Sequence, residues 1–139
     1  ECSKHKGGDG VEPDNMDGYI NKSGFTLTAQ DQLAYNRFIA NEAHKRNLAV
    51  GLKNDLDQVT QLVEYFDFAV NEQCFEYNEC DTLLPFINQG KPVLTAEYLD
   101  KYVSNASERA AICQESRNKQ FSTLILPLDL NDSFRFSCL

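Results

Sequence analysis

The chain has 139 residues, of which 42% are apolar and 24% charged, an ordinary globular composition with enough length for one hydrophobic core. Its 21 acidic and 13 basic residues give a net charge of -8, which repels phosphate backbones and anionic lipid. No apolar run approaches the roughly 20 residues of a membrane span, so neither a nucleic acid nor a membrane is the expected partner.

Five short apolar runs separated by helical patterns predict the order βαβαβαβαβ. The predicted strands cover residues 10–14, 49–54, 68–72, 92–97 and 122–127. The predicted helices cover residues 28–46, 59–66, 82–88 and 106–117. This alternation requires a parallel sheet with helical crossovers.

Local signals mark several helix ends and faces. Thr28 followed by Asp31 resembles a capping box and opens the first helix, and Gly90 followed by Pro92 ends the third. His44, late in the first helix, is expected to cap that helix rather than to act in catalysis. Helical spacing predicts buried stripes on the first and second helices: Leu33, Asn36, Ile39, Ala40 and Ala43, then Val59, Leu62, Val63 and Phe66.

The N-terminus resembles the end of an element that began earlier. Cys2-Ser-Lys-His-Lys6 followed by Gly7-Gly8 has the pattern of a basic last helical turn with its glycine cap. An eight-stranded α/β barrel needs about 250 residues. We therefore expect this chain to be the second part of a barrel.

Five cysteines and three N-x-[ST] sequons, at Asn21, Asn105 and Asn131, indicate a secreted protein whose leader lies outside this sequence. The chain has no C-x-x-C pair, and no histidine lies near Cys74 and Cys80 in sequence, so we expect disulfides and no metal. The expected pairs are Cys74–Cys80 and Cys113–Cys138. Cys2 is left over, which predicts a partner outside this chain.

Four of the five predicted strands end in polar residues, the arrangement with which barrel enzymes build their sites. These ends are Asp14-Asn15, Lys53-Asn54-Asp55, Asn71-Glu72 and Glu97-Tyr98. No glycine-rich phosphate loop follows any strand, so nucleotide binding is disfavoured and no cofactor is expected.

Two carboxylates in this set have the spacing of a catalytic pair. Asp14 and Glu72 end strands that are separated by one neighbour, and we expect them to face each other across a cleft, as the two acids of a glycosidase do. Glu12 shares the side of Asp14 in the predicted strand, and Lys53 is placed to pair with either acid. The alternatives are a turn or capping role for Asp14, a solvated loop position for Glu72, and a structural ion pair for Glu12 and Lys53.

Aromatic residues follow the predicted strand ends and are suited to stacking on sugar rings, although core packing is the common role of a single aromatic residue. They are Tyr19, Phe25, Phe75, Tyr77 and Tyr98.

Four stretches of the sequence resemble glycoside hydrolase family 114, the endo-α-1,4-polygalactosaminidases, from about Lys6 to Leu139. They are Asp9-Gly-Val-Glu-Pro-Asp-Asn-Met-Asp-Gly-Tyr19, Leu33-Ala-Tyr-Asn-Arg-Phe38, Gly51-Leu-Lys-Asn-Asp55 and Asn71-Glu-Gln-Cys-Phe-Glu-Tyr-Asn-Glu-Cys80. The resemblance implies an α/β fold, the (β/α)8 TIM barrel, of which residues 1–139 form the C-terminal portion with strands four to eight. It also implies endo-acting cleavage of α-1,4-linked galactosamine polymers with retained anomeric configuration.

The resemblance assigns Asp14 as the nucleophile and Glu72 as the general acid/base, with no metal and no cofactor. Polar and aromatic residues around the strand ends are the expected substrate contacts: Glu12, Asn15, Asp17, Tyr19, Lys53, Asn54, Asp55, Phe75, Tyr77, Glu97 and Tyr98.

An isolated five-stranded sheet has two unpaired edges, which predicts that this chain alone is inactive, poorly soluble or self-associating. An alternative function is therefore a non-catalytic carbohydrate-binding or structural remnant, with sugar affinity through Phe75, Tyr98 and the acidic residues.

Overall fold

The computed structural model describes residues 5–139. Its strands in this range are β1 (Gly10–Val11), β2 (Ala49–Lys53), β3 (Phe68–Glu72), β4 (Val93–Glu97), β5 (Ser122–Ile125) and β6 (Phe136–Ser137), in the order β1-β2-β3-β4-β5-β6 of an open sheet. The α-helices are α1 (Ala29–His44), α2 (Val59–Leu62), α3 (Leu84–Asn88), α4 (Asp100–Ser104) and α5 (Ala106–Asn118). Short 3-10 turns cover Gly18–Ile20, Leu56–Gln58 and Cys80–Leu83.

The chain divides into two compact units, Glu1–Val70 and Asn71–Leu139. In the first unit β1 pairs with β2 and β2 pairs with β3, both in parallel. Gly51 of β2 lies opposite Phe68 of β3, and a Cβ at Gly51 would overlap the Phe68 ring. Glycine is therefore required where these two strands approach each other.

Helix α1 begins and packs as its sequence predicts. Thr28 Oγ1 accepts from the Asp31 amide, and the Asp31 carboxylate accepts from the Thr28 amide, which completes the capping box. Leu33, Asn36, Ala40 and Ala43 are buried, whereas Ile39 is partly buried. The predicted stripe of the next helix is buried throughout: Val59, Leu62, Val63 and Phe66.

In the second unit β4 pairs with β5 in parallel, and β6 adds to β5 in antiparallel orientation. Both predicted disulfides, Cys74–Cys80 and Cys113–Cys138, are present. The second one joins α5 to the residue after β6, inside an apolar cluster with Tyr102, Ile112 and Ile125. Gly90 has a φ of 69° and ends α3 as predicted.

Several predicted boundaries are wrong. The first strand ends at Val11 rather than at residue 14, since Pro13 has no amide hydrogen to extend the ladder. Helix α4 and strand β6 were not predicted, and the antiparallel β6 departs from an all-parallel sheet. Helices α2 and α3 are shorter than predicted, and each is preceded by a 3-10 turn.

His44 is the last residue of α1 and the basic residue of its final turn, the position expected of a helix-end interaction, and its ring also contacts Asp67. Its Nε2 lies 2.9 Å from Asp67 Oδ2, which also accepts from the Val50 amide at 2.8 Å. His44 therefore ties the end of α1 to the segment that leads into β3.

The sequon asparagines Asn21, Asn105 and Asn131 are exposed. Gly7 has a φ of 74°, as expected of a helix-ending glycine, whereas Cys2 and Lys4 lie outside the described residues. Within residues 5–139, no helix has the length and apolar character needed to cross a membrane. In the same range, no three His, Cys, Asp or Glu side chains are grouped to hold a metal ion.

Candidate active site

Lys53, the last residue of β2, lies between two carboxylates. Its Nζ is 3.5 Å from Asp14 Oδ2 and 3.7 Å from Glu12 Oε1. The Lys53 side chain is 11% exposed and that of Asp14 is 51% exposed. The predicted ion pairs are therefore present, although Glu12 and Asp14 lie in the loop after β1 rather than within a strand. A half-exposed carboxylate beside a nearly buried ammonium group is accessible to an incoming molecule.

The turn after β2 is held by the buried side-chain amide of Asn36. Asn54 and Asp55 have φ values of 53° and 51°, in the left-handed region. Asn36 of α1 donates through Nδ2 to Asp55 Oδ2 at 2.9 Å and to the Met16 carbonyl at 2.8 Å. Gln32 Nε2 donates to Asn36 Oδ1 at 2.7 Å. Helix α1 thus fixes both the turn after β2 and the loop after β1.

Asp55 is a buried carboxylate in an acidic environment. Burial raises its pKa to about 7, the charge of Asp17 adds to the rise, and the hydrogen bond from Asn36 opposes it. Its second oxygen, Oδ1, is buried and has no hydrogen-bond partner among residues 5–139. Burial also raises the pKa of Tyr19, with further contributions from Asp55, Asp57 and Asp17. The predicted contacts Asp17, Tyr19 and Asp55 are therefore close together, in a cluster suited to a cationic or hydroxyl-bearing ligand.

In the second unit, Glu72 is the last residue of β3 and accepts a hydrogen bond from a tyrosine. Tyr98 Oη donates to Glu72 Oε1 at 2.6 Å. Burial raises the pKa of the Tyr98 hydroxyl, and its hydrogen bond to Glu72 raises it further. The hydroxyl therefore remains a donor over the whole physiological pH range.

The loop after β3 is fastened to the end of β4. Glu97 is fully buried, and its carboxylate accepts from the Phe75 amide at 2.9 Å and the Glu76 amide at 3.3 Å. Burial raises the pKa of Glu97 to about 7 although both amide hydrogen bonds lower it, and the charge of Glu76 adds to the rise. The Gln73 amide donates to the Ala96 carbonyl at 2.9 Å, and the Cys74–Cys80 disulfide closes the loop.

The remaining predicted site residues are less constrained. Asn15 is exposed, Tyr77 is 62% exposed, and Phe75 is partly buried with its ring edge-on to Phe121 at 6.4 Å between centroids. Glu97 was predicted to contact substrate, but its position differs from that expectation. Because its side chain has no exposed surface and accepts from two loop amides, it acts on the loop instead.

Three residues of these clusters were not predicted as site residues: Asn36, Asp57 and Glu76. Asn36 carried a usable signal, because a polar residue in an otherwise apolar helical stripe needs a buried hydrogen-bond partner. Asp57 and Glu76 follow predicted strand ends by several residues, and only the turns in the structure bring them close to Asp55 and Glu97.

The whole chain, residues 1–139, matches the sequence profile of Glycoside-hydrolase family GH114. No curated protein sequence matches significantly. Among solved structures, the chain is similar to the crystal structure of Aspergillus fumigatus Ega3 in complex with galactosamine. The identity is 41% and the TM-score is 0.86. The matched region covers 98% of this chain and 56% of the Ega3 chain.

The glycoside hydrolase domain of PelA from Pseudomonas aeruginosa is similar in fold, with 14% identity and a TM-score of 0.62. The matched region covers 96% of this chain and 58% of the PelA chain. The chain thus spans just over half the length of these two structures. With the open α/β sheet, the likeness to Ega3 confirms the predicted partial TIM-barrel fold.

Proposed function

Because the chain belongs to Glycoside-hydrolase family GH114 along all 139 residues, we propose that it is an endo-acting glycoside hydrolase of α-1,4-linked galactosamine polysaccharide. The observation that carries the proposal is the 41% identity, over 98% of this chain, to a structure solved with galactosamine. Residues 1–139 contribute the C-terminal portion of the catalytic barrel in this proposal, as its strands four to eight.

In the proposed mechanism Asp14 is the nucleophile and Glu72 the general acid/base. The Asp14 carboxylate attacks the anomeric carbon while the bond to the glycosidic oxygen breaks, and protonated Glu72 donates its proton to that departing oxygen. Glu72, now ionised, takes a proton from water, and the water oxygen displaces Asp14 from the anomeric carbon. Two displacements at one carbon retain its configuration.

Two features of the clusters support these roles. Asp14 lies beside Lys53 and is half exposed, and a nucleophile needs such exposure to reach a sugar. Glu72 accepts a hydrogen bond from Tyr98, which supports the ionised form that the second step requires.

The substrate contacts in this proposal are the polar and aromatic residues around the strand ends. Asp17 and the exposed Asp57 supply negative charge for the ammonium groups of a deacetylated sugar chain, and buried Asp55 adds charge as the pH rises above about 7. The others are Glu12, Asn15, Tyr19, Lys53, Asn54, Phe75 and Tyr77.

The disulfides Cys74–Cys80 and Cys113–Cys138 are consistent with an oxidising compartment. We therefore place the protein outside the cell, where its polysaccharide substrate is accessible. Self-association of this chain is part of the proposal, because β1 is an edge strand in the open sheet.

The test is release of reducing ends from an α-1,4-galactosamine oligomer by the 139-residue chain. The proposal requires release by this chain, against the inactivity predicted for an isolated open sheet. That release should fall by orders of magnitude in Asp14→Asn and in Glu72→Gln, whereas the exposed Glu64→Gln retains it. Circular dichroism of each variant checks that it is folded. A folded chain that binds the oligomer without cleaving it would favour the carbohydrate-binding alternative and contradict the proposed hydrolysis.

A further inference from the structure

The end of β4 contacts the segment around Glu72 through consecutive residues. The Ala96 carbonyl accepts from the Gln73 amide, and the Glu97 carboxylate accepts from the Phe75 and Glu76 amides. Tyr98 Oη donates to Glu72 Oε1. Residues 96–98 therefore bind both the backbone after Glu72 and the Glu72 side chain itself.

Tyr98 contacts Glu72 through its hydroxyl. The Tyr98 side chain is partly buried, and its 2.6 Å hydrogen bond is a short one. A tyrosine that only stacks on a sugar needs its ring face and does not need this hydrogen bond.

We infer that Tyr98 is a positioning residue for Glu72, holding the carboxyl group of the general acid/base in one orientation for proton transfer. This inference rests on the proposed function and deepens it, because it gives Tyr98 a role that acts through Glu72 rather than through substrate stacking.

The hydroxyl has a direct electrostatic consequence. A donor to a carboxylate favours its ionised form, so removing the Tyr98 hydroxyl raises the pKa of Glu72. The other titratable groups acting here are Glu97, which raises the pKa of Tyr98, and Glu76, which raises that of Glu97. Tyr102 of α4 is also affected by the charge of Glu97. These groups remain in a Tyr98→Phe variant, so the change isolates the hydroxyl.

The experiment measures the titration of Glu72 directly. The carboxyl carbon resonance of Glu72 is followed by NMR over pH in 13C-glutamate-labelled chain and assigned by its absence in Glu72→Gln. The free energy of a hydrogen bond to a charged group corresponds to a change of about one unit or more in the pKa of that group. We expect this upward shift in Tyr98→Phe and no shift in Tyr35→Phe, which removes an exposed hydroxyl from α1.

Kinetics on the galactosamine oligomer provide the second measurement. We expect kcat of Tyr98→Phe to fall about tenfold with little change in KM, and the alkaline limb of its pH profile to move upward with Glu72. An unchanged Glu72 titration overturns the inference, and so does a raised KM with unchanged kcat, which indicates stacking. If the unaltered chain cleaves no oligomer, the proposed function fails in the assay, while the titration still decides whether Tyr98 controls Glu72.

Discussion

The buried Glu97 carboxyl makes the stability of the chain depend on pH, and the change Glu97→Gln isolates that dependence. Glu97 is fully buried with a pKa of about 7, against 4.5 for the same group in water. The folded state therefore holds its proton more tightly than the unfolded state does. Stability from this group is fully present below pH 4.5, declines as the pH rises, and is lost above about pH 7.

The size of the effect follows from the difference between the two pKa values. Each pH unit corresponds to about 1.4 kcal/mol, so the change in the free energy of unfolding is about 3 kcal/mol between pH 4 and pH 8. Glutamine has the same shape and does not titrate, so the variant lacks this component. Asp55, whose pKa is also about 7, is present in both chains and cancels from their difference.

The assay is urea unfolding of both chains at several pH values from 4 to 8. The free energy of unfolding of the unaltered chain minus that of Glu97→Gln should fall by about 3 kcal/mol over this range. Exposed Glu64→Gln is the matched control, since it makes the same chemical change at the surface. A difference that stays flat with pH would refute the argument that burial keeps Glu97 protonated below neutrality.

Three further variants test how the loops and the C-terminal segment are held. Asn36→Ala removes two donated hydrogen bonds and one accepted hydrogen bond at a fully buried position, so urea unfolding should show a loss of about 2–4 kcal/mol, and a loss below 0.5 kcal/mol would contradict the bridging role. Replacing both cysteines of a disulfide by alanine should lower the free energy of unfolding by about 2 kcal/mol for Cys74–Cys80 and about 3.5 kcal/mol for Cys113–Cys138, because the second closes a longer loop. Equal losses, or the reverse order, would count against a loop-closure origin.

Elements with strong local signals were predictable from the sequence. The Thr28–Asp31 capping box and the apolar spacing of α1 depend on residues within a few positions of one another, and both are confirmed. Strand β6 has two residues and α4 has five, lengths too short for a periodic pattern to emerge.

The contacts within the candidate site were less predictable, because they join residues far apart in sequence. Asp55 accepts a hydrogen bond from the side-chain amide of Asn36, 19 residues earlier, and Glu72 accepts one from the Tyr98 hydroxyl, 26 residues later. The strand pattern identified Glu97 as a polar residue at a strand end. Its carboxylate is buried in the structure because it accepts hydrogen bonds from two backbone amides of a loop that is distant in sequence. The motifs therefore singled out these residues as candidates, whereas their hydrogen-bond partners depend on the fold.

Azide rescue tests the two catalytic roles most directly. Asp14→Ala and Glu72→Ala are each given an activated dinitrophenyl α-galactosaminide with sodium azide, and the anomer of the azide product is read by NMR. Loss of the nucleophile should give the inverted β-azide from Asp14→Ala, whereas loss of the acid/base should give the retained α-azide from Glu72→Ala. Interchanged anomers, or no rescue of either folded variant of an active chain, would contradict the assignment of Asp14 and Glu72.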